Sequence, residues 1–336
     1  MSQGARPGVG RRAALGIALG TAATALSACG VRLEDDAPRV PLVPTRTPVP
    51  AEVDLVALTR DTDRLAQLAA SLGGDLGADL AVIHARQHAV LRTTLVRDQV
   101  PAEGLDAGPL PAPTAPPAAP PTAGPTGTPP TSPTGTPSPT STASVPAIEG
   151  PQLAQREAAA ASGSGSFAEV AAGLRAPVAA LHAQRYAAAT LLMGQPPAVP
   201  SDPVTGEDVA ALAGCTSAAT WFLEVVTARA AGAQRVRAEA TLDALRGLLA
   251  DQVAGGSRPP DTLGHPLPFP VRTPADGVRL AGEALTALRS QHGAALEGLV
   301  TGHGASGAQG ATRWLGTIEV EAHRWGVALA PFPGLT

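Results

Sequence analysis

The chain has 336 residues, of which 44% are hydrophobic, 2% aromatic and 15% charged, and it contains 35 prolines and 37 glycines. Few aromatic residues among many alanines, leucines and valines argue against a β-sandwich and favour helices built from small side chains. All 24 basic residues are arginines. The formal charge of −4 does not show the excess of positive charge that is typical of nucleic-acid-binding proteins. Length alone would allow two domains, but 15 prolines fall within residues 101–150, so the part that can fold is shorter.

The N-terminus has the pattern of a secretory signal peptide. Three arginines among the first twelve residues precede the uncharged apolar run 13–25. This run is shorter than the roughly 20 residues that a membrane-spanning helix needs. It ends in Leu26-Ser27-Ala28-Cys29, which resembles the lipobox of bacterial lipoproteins. In such signals the cysteine receives a diacylglyceryl group and becomes the first residue, so residues 1–28 are predicted to be a lipoprotein signal peptide.

Lipidation would place the mature protein on the extracytoplasmic face of the cell membrane. Acyl chains at Cys29 would hold it there, since each buried CH₂ contributes about 0.8 kcal/mol. Removal of residues 1–28 takes away three arginines and no acid, which changes the formal charge from −4 to −7. Arg11-Arg12 leaves both general secretion and twin-arginine export open. The alternative to lipidation is an uncleaved anchor helix with a chance cysteine.

The second cysteine is Cys215. With Cys29 acylated, Cys215 has no partner within the chain, so no intramolecular disulfide is expected. It lies one position off the apolar line of a predicted helix. This position favours a buried, inert thiol over a reactive one, because a reactive thiol needs a nearby base.

Proline-rich stretches divide the mature chain. Residues 29–50 predict an extended tether. Residues 99–150 predict a disordered linker rich in Pro, Thr and Ser, which is either a bare spacer or an O-glycosylated stalk. On either side of the linker, apolar residues recur every three or four positions in residues 51–98 and 151–194. Helices before the linker cannot bury their apolar faces alone, so these two segments are expected to form one bundle that the linker interrupts.

Local signals subdivide this N-terminal bundle. Gly73-Gly74 ends its first helix, and Pro177 kinks or restarts a later one because proline removes a backbone donor. A weak internal sequence similarity, which we call the internal echo, relates the seven residues that begin at Ile83 and include His84 to the seven that begin at Leu181.

The C-terminal region, residues 205–336, has four predicted helices. Their ranges are about 206–232, about 235–253, from Pro274 to about 299, and about 311–325. Thr273-Pro274-Ala275-Asp276 has the pattern of an N-cap, a first-turn proline and a first-turn acid. Gly326 is predicted to end the last helix. Apolar stripes on four such helices predict a four-helix bundle.

A family resemblance rests on the stretch HPLPFPVRTPADGVRLAGEAL, from His265 to Leu285, followed by Trp325 and by Phe332-Pro333-Gly334-Leu335. These residues resemble a ferritin-like domain of unknown function in secreted actinobacterial proteins, over about residues 205–336. The resemblance implies an all-α chain with a ferritin-like four-helix bundle at the C-terminus, after a second helical bundle. The lysine-free, alanine-rich composition fits a GC-rich actinobacterial source.

A ferritin-type di-iron site needs a Glu from each of two helices and Glu-x-x-His from each of the other two. No Glu in this chain has a His three residues later. His84 and His88, at i and i+4, could hold one ion between them. His292 lies on an apolar seam and is expected to be a polar core residue. The full set of weak metal candidates is His84, His88, His292, Glu319 and His323, with the last two, and Glu321, expected on a solvated face.

The main hypothesis is a membrane-anchored envelope lipoprotein whose non-catalytic helical bundles bind a partner or serve as a scaffold. No cofactor is expected, and motifs such as G-x-S-x-G, H-E-x-x-H and C-x-x-C do not occur. The partner would be another envelope protein or a small apolar molecule, and close helix packing favours the protein. Two alternatives stay open: a divergent ferritin-like protein or oxidoreductase that binds iron or manganese, and an envelope enzyme with a site built from scattered residues.

Overall fold

The computed structural model describes residues 46–109, 150–200, 202–258 and 264–335. These ranges contain seven α-helices and no strand, which confirms the all-α prediction. The helices are α1 (Glu52–Leu72), α2 (Gly74–Arg97), α3 (Gly150–Ser162), α4 (Arg175–Met193), α5 (Glu207–Arg229), α6 (Gly232–Val253) and α7 (Pro274–Arg324). The predicted signal peptide, the lipobox with Cys29, most of the tether and residues 110–149 of the linker lie outside the described residues.

Helix ends follow the local signals in the sequence. Helix α1 stops at Leu72 because Gly73 takes a φ of 74°, in the left-handed region that glycine tolerates. Helix α4 restarts the chain at Arg175, and Pro177 lies in its first turn, where a missing N–H breaks no helical hydrogen bond. Helix α7 opens with a capping box in which Thr273 and Asp276 satisfy each other's backbone N–H groups, at 3.2 and 2.8 Å.

The last two predicted helices are joined. Helix α7 runs from Pro274 to Arg324 and departs from helical geometry at Gly304, whose φ is 56° and ψ −131°. Glycine adopts this geometry without a Cβ clash, so the chain kinks there instead of entering a loop. Helix α7 ends beside Trp325 and the left-handed Gly326, as predicted.

Helix α4 is the central helix of the body, and every residue from Val178 to Thr190 is buried. Val178 and Leu181 pack in a core with leucines of α1 and α2. Three alanines of α4 belong to a second core with α5, α6 and α7. The residues from Pro48 onward accordingly form one compact unit, and the two predicted bundles share α4 as a common wall.

Small residues allow α4 and α7 to pack at close range. A Cβ added to Gly316 of α7 would lie 2.6 Å from Cδ1 of Tyr186 and 2.9 Å from the carbonyl oxygen of Ala183. A helix enclosed on all sides needs such small neighbours if backbones are to approach. The alanine-rich composition therefore has a packing role at the centre of the protein.

The first residues of the predicted linker are part of the fold. Val100 and Leu105 are 5% and 0% exposed and pack in the core of α1, α2 and α4. The backbone N–H of Ala107 donates to the Asp63 carboxylate of α1 at 2.9 Å. The prediction of a disordered linker from residue 99 is therefore wrong for residues 99–109.

Of the described helices, α5 alone has the length and the apolar composition to span a membrane. Its residues Val209, Leu212, Leu223 and Val226 are buried in the core with α6 and α7. A core helix of a folded body has the same composition.

Candidate functional site

A buried polar cluster lies between α1, α2, α3 and α4. Its members are all fully buried: Thr62 of α1, His84 and Gln87 of α2, Glu157 of α3, and Gln184 and Arg185 of α4. Polar groups are costly to remove from water unless they are paired, so their contacts determine what the cluster can do.

The orientation of Gln87 is set by a backbone carbonyl near the C-terminus. Its Nε2 donates to the carbonyl oxygen of Pro331 at 2.6 Å and to Oε1 of Gln184 at 3.2 Å. Because a carbonyl oxygen only accepts, the other amide atom of Gln87, Oε1, must face Nδ1 of His84, 3.1 Å away. The Nδ1 of His84 therefore carries the proton that it donates to Gln87.

The second ring nitrogen of His84 faces Glu157. Its Nε2 lies 2.7 Å from Oε1 of Glu157, and both side chains are 0% exposed. The two atoms are close but are not aligned as a hydrogen bond. The contact is therefore a buried approach of an imidazole and a carboxyl group that joins α2 to α3.

The described residues do not fit a di-iron centre. His84 and Glu157 supply one imidazole and one carboxylate, whereas such a centre uses four carboxylates and two imidazoles. Within the described ranges, no group of three or more His, Cys, Asp or Glu side chains is placed to hold a metal ion.

His88 lies away from this pair. Its Nε2 is 3.3 Å from Oδ1 of Asp106, which also accepts from Nε of Arg92 at 2.9 Å. The hydrogen bond from Arg92 lowers the pKa of the Asp106 carboxyl. The two histidines predicted to share an ion thus have different carboxylate partners, Glu157 for His84 and Asp106 for His88.

A buried arginine connects the cluster to the surface. Arg185 is 0% exposed, and its Nη1 lies 2.8 Å from Oδ2 of Asp61, which is 35% exposed. Its Nη2 donates to the hydroxyl of Thr62 at 2.6 Å. The buried positive charge is therefore neutralised by a carboxylate at the surface of α1.

His182 of α4 is a buried residue that sequence reasoning singled out only through the internal echo with His84. Its ring centroid lies 4.9 Å from that of Phe167, and its ring nitrogens have no side-chain hydrogen-bond partner among the described residues. Burial, aided by the charge of Arg185, lowers its pKa to about 3, so it is neutral near pH 7. The echo matches the burial of the two histidines but not their partners.

His292 is a buried polar residue in the C-terminal half, as its seam position predicts. Its Nδ1 donates to the carbonyl oxygen of Leu288 at 3.0 Å, so Nε2 accepts from the amide of Gln252 at 2.9 Å. Burial lowers its pKa to about 4. The neutral ring is fully engaged by these two hydrogen bonds.

The prediction of a solvated face is wrong for Glu319 and Glu321, which are 0% and 2% exposed. Glu319 accepts from Nη1 of Arg289 at 3.0 Å and from the backbone N–H of Ala330 at 2.6 Å. Glu321 accepts from the hydroxyl of Thr241 at 2.7 Å. Burial raises the pKa of both carboxyls. His323 is half-buried on the same segment.

Glu319 is covered by the segment 327–335, which folds back onto α7, whereas Glu321 faces Thr241 of α6. Arg289 donates to the carbonyl oxygen of Ala328 at 3.1 Å as well as to Glu319. Gly334, with a φ of 74°, crosses α7 at Gly293, where any Cβ would overlap the Gly334 backbone. Glu319 and Arg289 therefore hold this segment in place, and the same segment contacts the buried polar cluster through Pro331.

Cys215 lines a groove of about 280 Å³ between α5 and α7, together with Phe222 and Ala287. The thiol is half-buried and unpaired, and burial raises its pKa. A raised pKa leaves little thiolate at neutral pH, which agrees with the inert thiol that its position predicts.

Comparisons with known proteins do not identify a relative. No protein-family model, curated protein or solved structure matches this chain. The resemblance to ferritin-like domains therefore stays a prediction, and function has to be inferred from the sequence signals and from the contacts described above.

Proposed function

We propose that this chain is a membrane-anchored envelope lipoprotein whose body, a ferritin-like helical bundle, is a non-catalytic binding or scaffold module. The observation that carries the proposal is Leu26-Ser27-Ala28-Cys29 at the end of a short apolar run that follows three arginines. Proline-rich residues 30–50 separate this motif from α1. A lipid on Cys29 would hold the folded body at the extracytoplasmic face of the membrane, where another envelope protein is the expected partner.

The contacts of the buried ionisable groups support a body without catalysis. A general acid or base must reach a substrate atom within hydrogen-bond distance. Glu319 is enclosed and binds the C-terminal segment at Ala330, and Glu321 is enclosed and binds Thr241 of α6. Arg185 is bound to Asp61, and His292 is bound to Gln252. These side chains therefore have structural partners that account for their burial.

The two cysteines provide a matched pair of variants for a test of lipidation. The chain and its Cys29→Ser and Cys215→Ser variants would be produced in an actinobacterial host fed an alkyne-tagged fatty acid. We expect the label and detergent-phase partitioning in the wild type and in Cys215→Ser, and neither the label nor processing at residue 29 in Cys29→Ser. Equal labelling of wild type and Cys29→Ser, or an unlabelled wild type, would refute the anchor.

The alternative function, binding of iron or manganese, draws on the contact between His84 and Glu157, which are residue types that bind both metals. Elemental analysis of protein purified without chelators tests it. If the wild type holds one metal ion per chain and Glu157→Gln holds none, the protein is a metal-binding protein and the proposed non-catalytic function is wrong. Trace metal in both proteins would remove the alternative.

A further inference from the structure

A cleft of about 600 Å³ lies at the surface next to the buried polar cluster. We call it the arginine cleft. Helix α1 provides one wall with residues spaced three and four apart, which places them on one helix face. The lining consists of Ala57, Arg60, Asp61 and Arg64 of α1, Arg156 of α3, and Asp106, Ala107 and Gly108 after α2.

The three arginines of the cleft are free to bind a ligand. Arg60 and Arg156 are exposed, and neither they nor Arg64 forms an ion pair with any residue that the structure describes. Arg64 is half-buried, and its Nη1 is buried without a hydrogen-bond partner. Buried donors in folded proteins are normally paired, so this guanidinium indicates a missing acceptor.

The two acids of the cleft do not cancel this charge, because each is neutralised by a residue outside the lining. Asp61 is 2.8 Å from the buried Arg185. Asp106 is 2.9 Å from Arg92 and 3.3 Å from His88. The three free guanidiniums thus form a local excess of positive charge on a chain whose formal net charge is −4.

The wall after α2 is held in position before any ligand arrives. Leu105 is anchored in the core, and the N–H of Ala107 donates to Asp63 at 2.9 Å. The contacts of Asp106 with Arg92 and His88 add two links to α2. A preorganised wall lowers the entropy that binding must overcome.

Guanidinium groups bind phosphate and carboxylate oxygens through paired N–H donors. A phosphate offers three or more oxygens in a tetrahedral arrangement, so it can accept from several arginines that approach from different helices. The cleft volume lies within the range of about 300–1,000 Å³ that is typical of small-molecule sites. We propose that the arginine cleft binds the phosphate groups of a phosphate-bearing ligand through Arg60, Arg64 and Arg156. This ligand class rests on the binding role proposed above.

Isothermal titration calorimetry with pyrophosphate tests the site in the detergent-solubilised, full-length protein. We expect binding of one pyrophosphate per chain that weakens with added salt. Arg60→Gln and Arg156→Gln should each weaken it about tenfold or more, the effect of losing hydrogen bonds to a charged group. Arg86→Gln is the matched control, since Arg86 is an exposed arginine of α2 outside the cleft. Circular dichroism and thermal unfolding check that each variant is folded. Arg64→Gln is a third variant of the cleft, and because Arg60 and Arg156 are exposed, their variants test the site even if Arg64→Gln does not fold.

A competition experiment distinguishes a lipid headgroup from a soluble phosphate ester as the source of the phosphate. Micelles doped with phosphatidylglycerol that compete with pyrophosphate, while phosphatidylcholine micelles do not, assign the site to an anionic lipid headgroup. Pyrophosphate binding without such competition assigns it to a soluble phosphate ester. Absence of binding at millimolar pyrophosphate, equal weakening by Arg86→Gln, or tighter binding of citrate would overturn the proposal. Because Cys29→Ser should bind pyrophosphate like the wild type, failure of the lipid anchor and failure of this site are distinguishable.

Discussion

Substitutions of the pair formed by His84 and Glu157 should show strong coupling. His84→Leu removes the imidazole 2.7 Å from Oε1 of Glu157 and leaves that carboxyl group, at a site that is 0% exposed, without a partner. Glu157→Leu leaves a histidine that keeps its hydrogen bond from Nδ1 to Gln87. The histidine substitution should therefore be the more damaging of the two.

The magnitudes follow from this asymmetry. A buried acidic group left without its basic partner costs about 3–5 kcal/mol, so we expect about 4 kcal/mol for His84→Leu. In Glu157→Leu only one nitrogen of His84 loses its partner, and a buried polar group left unsatisfied costs about 1–3 kcal/mol, so we expect about 2 kcal/mol. The double variant replaces the pair by apolar side chains and should cost about 1–2 kcal/mol, mostly from Oε1 of Gln87. The coupling free energy is then about 4–5 kcal/mol.

Urea unfolding, followed by tryptophan fluorescence, measures the free energy of unfolding of the wild type, the two single variants and the double variant. Thermal unfolding is a second readout. At about 2–4 °C per kcal/mol, His84→Leu should lower Tm by roughly 8–16 °C. If the double variant loses as much stability as the two single variants combined, the side chains do not interact and the reasoning fails. A stable His84→Leu protein would show instead that the Glu157 carboxylate is not enclosed.

Three further predictions concern other parts of the body. Gly316→Ala should cost about 1–3 kcal/mol in urea unfolding because its Cβ meets Tyr186, whereas Gly298→Ala on the same helix meets nothing within 4 Å and should be neutral or stabilising; equal effects would argue against close packing there. Burial lowers the pKa of His292 from its ordinary value of 6.5 to about 4 in the folded state, so its contribution to stability is complete above pH 6.5 and is lost as the pH falls towards 4. His292→Gln should accordingly flatten the decline of unfolding free energy between these pH values, and an unchanged slope would contradict the lowered pKa. Cys215 should react with iodoacetamide at pH 8 more slowly than free cysteine, because burial raises the pKa of its thiol, and a rate equal to that of free cysteine would speak against this.

Helix ends could be predicted from the sequence because their causes lie within a few residues. Thr273 and Asp276 form their capping box across one turn. Gly73 ends α1 through its own backbone geometry, and Pro177 is tolerated only near a helix start. The all-α class follows from the same local patterns.

Contacts between distant residues could not be predicted in this way. Glu319 and Glu321 are predicted to face solvent, but the segment 327–335, which has no period of its own, covers Glu319, and Glu321 packs against Thr241 of α6. The contact of His84 with Glu157 joins α2 to α3 across the long segment between them. Likewise, Arg60, Arg64 and Arg156 have the pattern of ordinary polar-face residues in the sequence, and only the packing of α1 with α3 brings them to one cleft.

The central position of α4 has a consequence for how the protein unfolds. Val178 and Leu181 on one side, and Ala179, Ala180 and Ala183 on the other, serve two cores at once. Loss of α4 from either core removes a wall from the other, so neither half can melt while the other stays intact. The body should therefore behave as one cooperative unit with a single calorimetric transition. A fragment that begins at residue 205 would lack this helix and would expose the apolar faces of α5 and α7 to water.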